Sequence, residues 1–143
     1  MADWLLVTHL CATWYLIGLC WLIQRVQYPL MGRVGVEHFA DYEQQHVRRI
    51  GPLVAPAMLL ELATGGLLLV RSLAEAGGSL VLYSAVALLA PIWLSTFLLQ
   101  VPLHRRLERG FDPDAHAALV RTNWIRTLAW TARGLLLLAL LAA

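Results

Sequence analysis

The sequence contains no lysine, only two cysteines and few charged side chains, which make up 14% of its 143 residues. Hydrophobic residues make up 59% of the chain, whereas an ordinary soluble domain is about 45–50% apolar and about 25% charged. This composition excludes an ordinary soluble domain and indicates an integral membrane protein with room for one domain. The net charge of +2 is small and the arginines are dispersed, which argues against nucleic acid as a partner.

Other absences remove further classes of protein. Cys11 and Cys20 lie on one predicted helix, about 13.5 Å apart along its axis, which is too far for a disulfide bond. We therefore expect two free thiols, and no zinc-binding cysteine pattern is present. The sequence also lacks a nucleophile elbow, a glycine-rich phosphate-binding loop and a Ser/His/Asp arrangement.

Four apolar stretches are long enough to span a membrane, over residues 4–23, 52–70, 80–103 and about 115–142. The first can continue as helix through Gln27 to a stop at Tyr28-Pro29. It lacks a basic n-region and a small-residue cleavage site before Arg25, so we expect a retained span rather than a signal peptide. Residues 33–50 predict an amphipathic helix that lies at the interface or leads into the second span, and Gly51-Pro52 is expected to break it.

The connecting segments differ in positive charge. The first and third connections are rich in arginine, whereas the second carries only Arg71. The positive-inside rule then predicts a multi-pass protein of the bacterial cytoplasmic membrane with both termini in the periplasm. Four helices with short links favour an all-α, up-down-up-down bundle that forms a single domain over residues 1–143. The arginines of the two basic connections are Arg25, Arg33, Arg48, Arg49, Arg105, Arg106 and Arg109.

The second span carries a carboxyl group, Glu61, about 14 Å deep in a hydrocarbon layer about 30 Å thick. A charge at that depth is costly, so the side chain should face the bundle interior. Each of the other spans also has one polar stripe at helical spacing. We therefore predict one polar cleft open to the cytoplasmic side and lined by Gln24, Gln27, Glu61, Gln100, His104, Asn123 and Arg126.

Two interpretations of this cleft stay open. In one, Glu61 and Arg126 form an intramembrane ion pair that holds the bundle together. In the other, the same groups surround a ligand, a metal ion or a haem, because ionisable residues inside a membrane commonly have a function.

A second motif lies on the amphipathic helix, where Glu43 and His46 have Glu-x-x-His spacing. This spacing puts a carboxylate and an imidazole on one helix face, and such ligands suit iron, manganese or zinc. Glu61 and His104 are the further metal-ligand candidates, and Glu61 can reach Glu43 only if the chain folds back at Gly51-Pro52. The alternative interpretation is a solvated helix face.

Haem is the other cofactor that the sequence suggests. His9 and His104 are candidate axial ligands, although they lie toward opposite ends of the bundle. Gln24 and Gln100 are further candidates for cofactor contacts, and Trp93 and Trp130 lie on the polar stripes, where they could wall an apolar ligand slot.

Four motifs cover nearly the whole chain: HLxxT with GLxW and VQYPL, FxxYExxHxRR with VxPxMxxEL, QVPLHxxLxxGFD, and TNWIRTxxWxxR. Together they resemble an uncharacterised family of small bacterial four-span membrane proteins. The four-span layout is also similar to that of anthrone-oxygenase-like membrane proteins. The start of the first span resembles the haem-binding bacterial protoporphyrinogen-oxidase family, a likeness that implies haem ligation at His9.

We expect a membrane-embedded oxidoreductase that holds a metal or haem and acts on a lipophilic aromatic or quinone-like substrate. Glu61 is then the proton acceptor or a ligand, and His104 and His46 are ligands or acid–base groups. Arg126 and Asn123 would orient an oxygen-bearing substrate.

Two other functions fit the same pattern. In the first, the protein is a non-catalytic accessory or ligand-binding subunit of a larger membrane complex. In the second, it is a carrier of protons or small molecules that works as a homodimer. The expected partners are the lipid bilayer and a lipophilic small molecule.

Overall fold

The computed structural model of the protein describes residues 3–75 and 78–142. Within these ranges the chain forms no strand and folds into four long helices: α1 (Trp4–Met31), α2 (Val36–Ala74), α3 (Leu80–Leu107) and α4 (Pro113–Ala142). Each helix is long and apolar enough to cross a membrane. The predicted all-α four-helix bundle is therefore confirmed, and the four candidate spans indicate a multi-pass membrane protein.

Helix α1 does not stop at Tyr28-Pro29, and this prediction was wrong. The helix begins at the Asp3 cap, whose carboxylate accepts from the backbone N–H groups of Leu5 and Leu6, and it runs on to Met31. A π-helical turn at Ile23–Gln27 lies just before the proline. The wider turn moves the preceding carbonyls away from the Pro29 ring, which would clash with them in a regular α-helix.

Helix α3 also has a π-helical turn shortly before a proline. This turn spans Thr96–Gln100, and Pro102 follows it after one residue. The helix therefore continues past residue 103, the predicted end of the third span, to Leu107. This extension brings His104 within reach of the first part of α2.

Helix α2 is continuous over Val36–Ala74, so the predicted break at Gly51-Pro52 is wrong. Pro52 removes one backbone N–H, whose helical acceptor would be the carbonyl of Arg48. Arg48 is an exposed residue in the polar part of the helix, and prolines are tolerated in membrane helices where water or neighbouring groups satisfy the freed carbonyl. The amphipathic segment thus leads straight into the second span, as one of the two predicted alternatives required.

The bundle is not packed equally on all sides. Helix α1 packs against α2 and α4, and α3 packs along α4. Helix α2 approaches α3 over Leu80–Ala87 and Val101–Leu107, whereas the middle of α3, residues 88–100, stands further off. A gap therefore opens between α2 and α3 partway along the bundle.

Three apolar clusters fill the interior. The middle cluster includes Leu16, Met58 and Ile92, and the cluster near the arginine-rich connections includes Phe39 and Leu107. A third cluster closes the opposite end of the bundle. Both cysteines are free thiols, with Cys20 buried and Cys11 exposed.

Candidate functional site

Glu61 forms its ion pair with Arg133, so the predicted Glu61–Arg126 pair is wrong. The side chains of Glu61 and Arg133 have no exposed surface. Glu61 Oε1 also accepts from Thr13 Oγ1 at 2.7 Å, and Oε2 accepts from Trp130 Nε1 at 3.0 Å. Arg133 lies seven residues beyond Arg126, about 10 Å further along α4, and this shift brings it level with Glu61.

His9 completes this buried network. Arg133 Nη2 lies 2.7 Å from His9 Nε2, and a guanidinium can only donate, so Nε2 is the acceptor. The ring proton is then on Nδ1, which donates to Thr64 Oγ1 at 2.6 Å. Thr64 in turn donates to the Leu60 carbonyl at 2.7 Å. Both ring nitrogens of His9 are therefore used by the protein, which leaves neither free for haem iron in this arrangement.

The Glu61 network is closed. Arg133 Nε donates to the Ala85 carbonyl at 2.8 Å, so this cation on α4 contacts α1, α2 and α3. Gly65 leaves room for the His9 ring, since a Cβ at that position would lie 3.0 Å from His9 Cε1. Neither Glu61 nor Arg133 lines either of the two cavities described below. We interpret this network as a structural element that fixes the register of the helices relative to one another.

Gln24 and Asn123 form a separate pair between α1 and α4. Asn123 Nδ2 donates to Gln24 Oε1 at 2.9 Å, and Gln24 Nε2 donates to the Val120 carbonyl at 3.1 Å. Both side chains are buried and lie outside the cavities. The prediction of one common polar cleft is therefore wrong, because the packing of α1 against α4 separates these amides from the other polar groups.

A cavity of about 610 Å³ occupies the gap between α2 and α3. We call it the lateral cavity. Its walls are mostly apolar, with Val54 and Met58 on α2, Phe97 and Val101 on α3, and Ile23 of α1 behind them. Along α2 it extends from His46 to Leu59, which corresponds to about 20 Å at about 1.5 Å per residue. The polar side chains that line it are Tyr28, His46, Thr96, Gln100, His104, Arg105, Glu108 and Arg126, together with the indole of Trp93.

Buried polar atoms without a hydrogen-bond partner concentrate at this cavity. In residues 3–75 and 78–142 there are four such side-chain atoms, and three belong to residues that line it: Trp93 Nε1, Gln100 Oε1 and Arg126 Nε. Buried polar groups in proteins are nearly always hydrogen-bonded, so such a cluster calls for an explanation. Two of the atoms are donors and one is an acceptor, which is the pattern that a hydroxyl- or carbonyl-bearing ligand would satisfy.

Arg126 is the buried arginine among the charged residues that line the lateral cavity. The residue is 7% exposed, and among the described residues no carboxylate forms an ion pair with it. Its guanidinium carbon lies 5.3 Å from the ring centroid of Trp130, which stabilises the cation through the aromatic face. A buried cation without a carboxylate partner provides an attractive site for an anionic or carbonyl oxygen.

A chain of hydrogen bonds lies at the end of the lateral cavity that is nearest the arginine-rich connections. The Tyr28 hydroxyl lies 3.0 Å from His104 Nε2, and His104 Nδ1 contacts Glu43 Oε1 as an ion pair or a hydrogen bond. Glu43 is fully buried, and its other oxygen, Oε2, is the fourth unpartnered atom. The continuity of α2 and the extension of α3 to Leu107 together create this contact.

His46 lies between the lateral cavity and a second cavity of about 610 Å³, which we call the vestibule. The vestibule lies between the ends of α1 and α2 nearest their connection, and Asp41, Gln45 and Arg49 line it. The His46 and His104 rings have centroids 5.6 Å apart. Gln27 Nε2, also at the vestibule, lies 3.4 Å from His46 Nδ1. The buried chain is thus adjacent to a polar opening.

The predicted metal-ligand set is only partly brought together. Glu43, His46 and His104 are neighbours, but Glu61 is about 27 Å from Glu43 along one continuous helix, so its inclusion was wrong. In the part of the chain that the structure describes, no group of three or more His, Cys, Asp or Glu residues is arranged to hold a metal ion.

Sequence reasoning missed two participants. The sequence indicates Tyr28 only as part of a helix stop, and Arg133 falls on the polar stripe of the fourth span, where the sequence gives it no partner. Counted from the predicted distal ends of the spans, residues 70 and 142, Glu61 and Arg133 each lie 9 positions in, whereas Arg126 lies 16 positions in, so this count favours Arg133. No comparable signal in the sequence identifies Tyr28.

Comparison with protein-family models, curated proteins and solved structures finds no match for this chain. The functional argument therefore depends on the geometry of the lateral cavity.

Proposed function

We propose that this protein binds a lipophilic molecule with an oxygen-bearing aromatic or quinone-like head group in the lateral cavity. The observation that carries the proposal is that three residues lining one mostly apolar cavity, Trp93, Gln100 and Arg126, each have a buried side-chain atom without a hydrogen-bond partner. Ligand pockets typically combine apolar walls with a few polar groups that fix orientation.

The mouth of the cavity supports entry of the ligand from the bilayer. Leu59 on α2 and Phe97 on α3 are each 58% exposed and line the cavity. In a four-span bundle these side chains face the lipid, so an apolar tail can remain in the hydrocarbon while the head group enters between the helices. The length of the cavity, about 20 Å along α2, suits an elongated amphiphile.

The polar atoms define the head group. Arg126 and Trp93 offer N–H donors, which suit a carbonyl, phenolate or carboxylate oxygen, and Gln100 Oε1 offers an acceptor, which suits a hydroxyl group. Gln100 is held in place because its amide donates to Thr122 Oγ1 at 3.1 Å. A phenol or a hydroquinone presents both kinds of group on a flat ring that fits beside Trp93.

The orientation in the membrane follows from the arginines. The predicted basic connections lie at the Tyr28 and His104 end of the bundle, and their arginines are exposed. The positive-inside rule puts this end in the cytoplasm and both termini in the periplasm. The head group of the ligand would then lie toward the cytoplasmic leaflet.

Oxidation or reduction of the bound head group is the second candidate function. The chain from Glu43 through His104 to Tyr28 favours it, because quinone chemistry requires proton transfer at the head-group oxygen. A metal or haem cofactor stays a prediction, and metal analysis with an absorption spectrum of the purified protein tests it. The spectrum of a haem or flavin, or a stoichiometric metal, is the expected result for the cofactor-dependent oxidoreductase.

Direct binding tests the proposed function. The purified protein in detergent is titrated with a decyl-substituted benzoquinone, and quenching of tryptophan fluorescence reports occupancy near Trp93. Arg126→Gln should weaken binding by about 10–100-fold, because a hydrogen bond to a charged group contributes about 1.5–3 kcal/mol. Arg121→Gln is the matched control, since Arg121 is exposed on the same helix and does not line the cavity. Equal affinities of the two variants would contradict the proposal.

A further inference from the structure

We propose that Tyr28 exchanges a proton with the hydroxyl group of an acidic phenol-type ligand, and that His104, oriented by Glu43, receives the proton that Tyr28 gives up. The inference rests on the proposed function, because it takes the lateral cavity as the binding site. It goes further by assigning a proton-transfer residue and by naming the ligand class as one with an ionisable hydroxyl group.

The direction of the hydrogen bonds follows from the chemistry of the three groups. An ionised carboxylate only accepts, so the N–H at His104 Nδ1 donates a hydrogen bond to Glu43 Oε1. The neutral imidazole then has its lone pair on Nε2, which accepts from the Tyr28 hydroxyl at 3.0 Å. The three side chains come from α1, α2 and α3, so the chain forms only when these helices are assembled.

The surroundings of the chain favour proton transfer over simple packing. Glu43 is fully buried and Tyr28 is 2% exposed, so few water molecules compete for their hydrogen bonds. Tyr28 and His104 both line the lateral cavity, whereas Glu43 lies behind them. The Tyr28 hydroxyl group donates its hydrogen bond to His104, so the lone pairs of the Tyr28 oxygen remain free to accept from a ligand hydroxyl group.

The transfer balances without a further reactant. The ligand O–H bond breaks and its proton bonds to the Tyr28 oxygen, while the Tyr28 proton moves to His104 Nε2. The products are a ligand oxyanion, neutral Tyr28 and an imidazolium next to the Glu43 carboxylate. Arg126 lines the same cavity and offers its charge to the oxyanion, so both new charges have an opposite charge nearby.

The imidazolium can return its proton toward the aqueous side. His46 lies between the lateral cavity and the vestibule, with its ring centroid 5.6 Å from that of His104. The titratable and charged groups around His104 therefore come from every helix. They are Tyr28 on α1, Glu43 and His46 on α2, Arg105 and Glu108 on α3, and Arg126 on α4.

A chromophoric phenol tests the assignment. The probe is 2-nitro-4-nonylphenol, whose absorption band shifts to longer wavelength when the hydroxyl group ionises. Its methyl ether is the matched probe that has no proton to transfer. We expect the wild-type protein to bind the phenol as the anion at a pH one unit below the ionisation midpoint of the free probe.

Tyr28→Phe removes the transferring hydroxyl group and keeps the ring. The variant should reduce the anionic fraction of the bound phenol at least fivefold and change its affinity for the methyl ether less than twofold. Glu43→Gln should act in the same direction, since the imidazolium loses its carboxylate. Tyr15→Phe is the control, because Tyr15 is an exposed tyrosine on α1 that lies outside both cavities.

The outcomes separate the two proposals. If the wild-type protein binds neither probe, the proposed function fails and the proton-transfer assignment fails with it. If both probes bind but Tyr28→Phe leaves the anionic fraction unchanged, the assignment is overturned while the binding function stands. Binding of the methyl ether shows that a variant is folded. If Glu43→Gln does not bind the methyl ether, the result for Tyr28→Phe alone tests the proton-transfer assignment.

Discussion

Arg126 lies over the ring of Trp130, with its guanidinium carbon 5.3 Å from the ring centroid. The N–H of the same indole donates to Glu61 Oε2 at 3.0 Å, so Trp130 also contacts the buried network of Glu61 and Arg133. Trp130 therefore separates two charged groups that the sequence seemed to pair. The aromatic face stabilises Arg126 without using its N–H donors, which stay available to a ligand.

Two substitutions of Trp130 should have different effects. Trp130→Phe keeps an aromatic face under Arg126 but leaves Glu61 Oε2 without its donor. We expect it to lower the free energy of unfolding by about 1–3 kcal/mol, the penalty of an unsatisfied buried acceptor, with ligand affinity nearly unchanged. Trp130→Leu should weaken binding as well, because the cation–π contact is lost. Thermal unfolding in detergent and quinone titration measure the two quantities, and equal affinities of both variants would contradict this role for the ring.

The Glu61–Arg133 pair should matter for stability and not for binding. Glu61→Gln leaves a fully buried guanidinium without its counter-charge, so we expect a loss of about 3–5 kcal/mol of stability. The double variant Glu61→Leu with Arg133→Met should lose less than the sum of the single variants, because no unpaired charge remains. A variant that still folds should bind the benzoquinone with wild-type affinity. A loss of binding at intact stability would place Glu61 in the ligand site.

Blocking the mouth of the lateral cavity should prevent binding without unfolding the protein. Ala55 is exposed on α2 and lines the cavity, so Ala55→Trp puts a bulky apolar side chain in the gap. We expect the affinity for the benzoquinone to fall at least tenfold, which corresponds to about 1.4 kcal/mol, and the unfolding temperature to stay unchanged. Leu62→Trp is the control, since Leu62 is 42% exposed on the same helix and lies outside the cavity. Unchanged affinity in Ala55→Trp would contradict lateral entry.

Asp112 caps the N-terminus of α4, and we expect this cap to stop stabilising the helix in acid. Asp112 accepts from the backbone N–H of Ala115 and pairs with Arg106, and these contacts lower the pKa of its carboxyl group below the ordinary value of 3.8. A lowered pKa means that the cap stabilises the helix above the ordinary value and loses this effect as the pH falls through the folded-state pKa. Hydrogen exchange in the first turn of α4 should therefore accelerate below about pH 4 relative to the middle of the helix. Asp112→Asn should abolish this dependence, and an identical acid response in that variant would assign it to another group.

The sequence by itself determined the class of the protein and the number of its helices. Runs of apolar residues long enough for a membrane are visible along the chain, and the backbone of such segments must satisfy its hydrogen bonds as helix. The polar stripes also showed which residues face the interior, since the direction of a side chain follows from the helical period. Among the candidates, Gln100, His104, Arg126 and Trp93 all line one cavity.

Only the tertiary structure decided which polar groups meet. Helical periodicity gives the direction of a side chain but not its depth relative to a neighbouring helix. That depth depends on where each helix ends and on whether Gly51-Pro52 and Tyr28-Pro29 interrupt the chain, which they do not. Because α2 is continuous and α1 and α3 run past their prolines, Glu61 meets Arg133, and Glu43 meets His104 beside Tyr28.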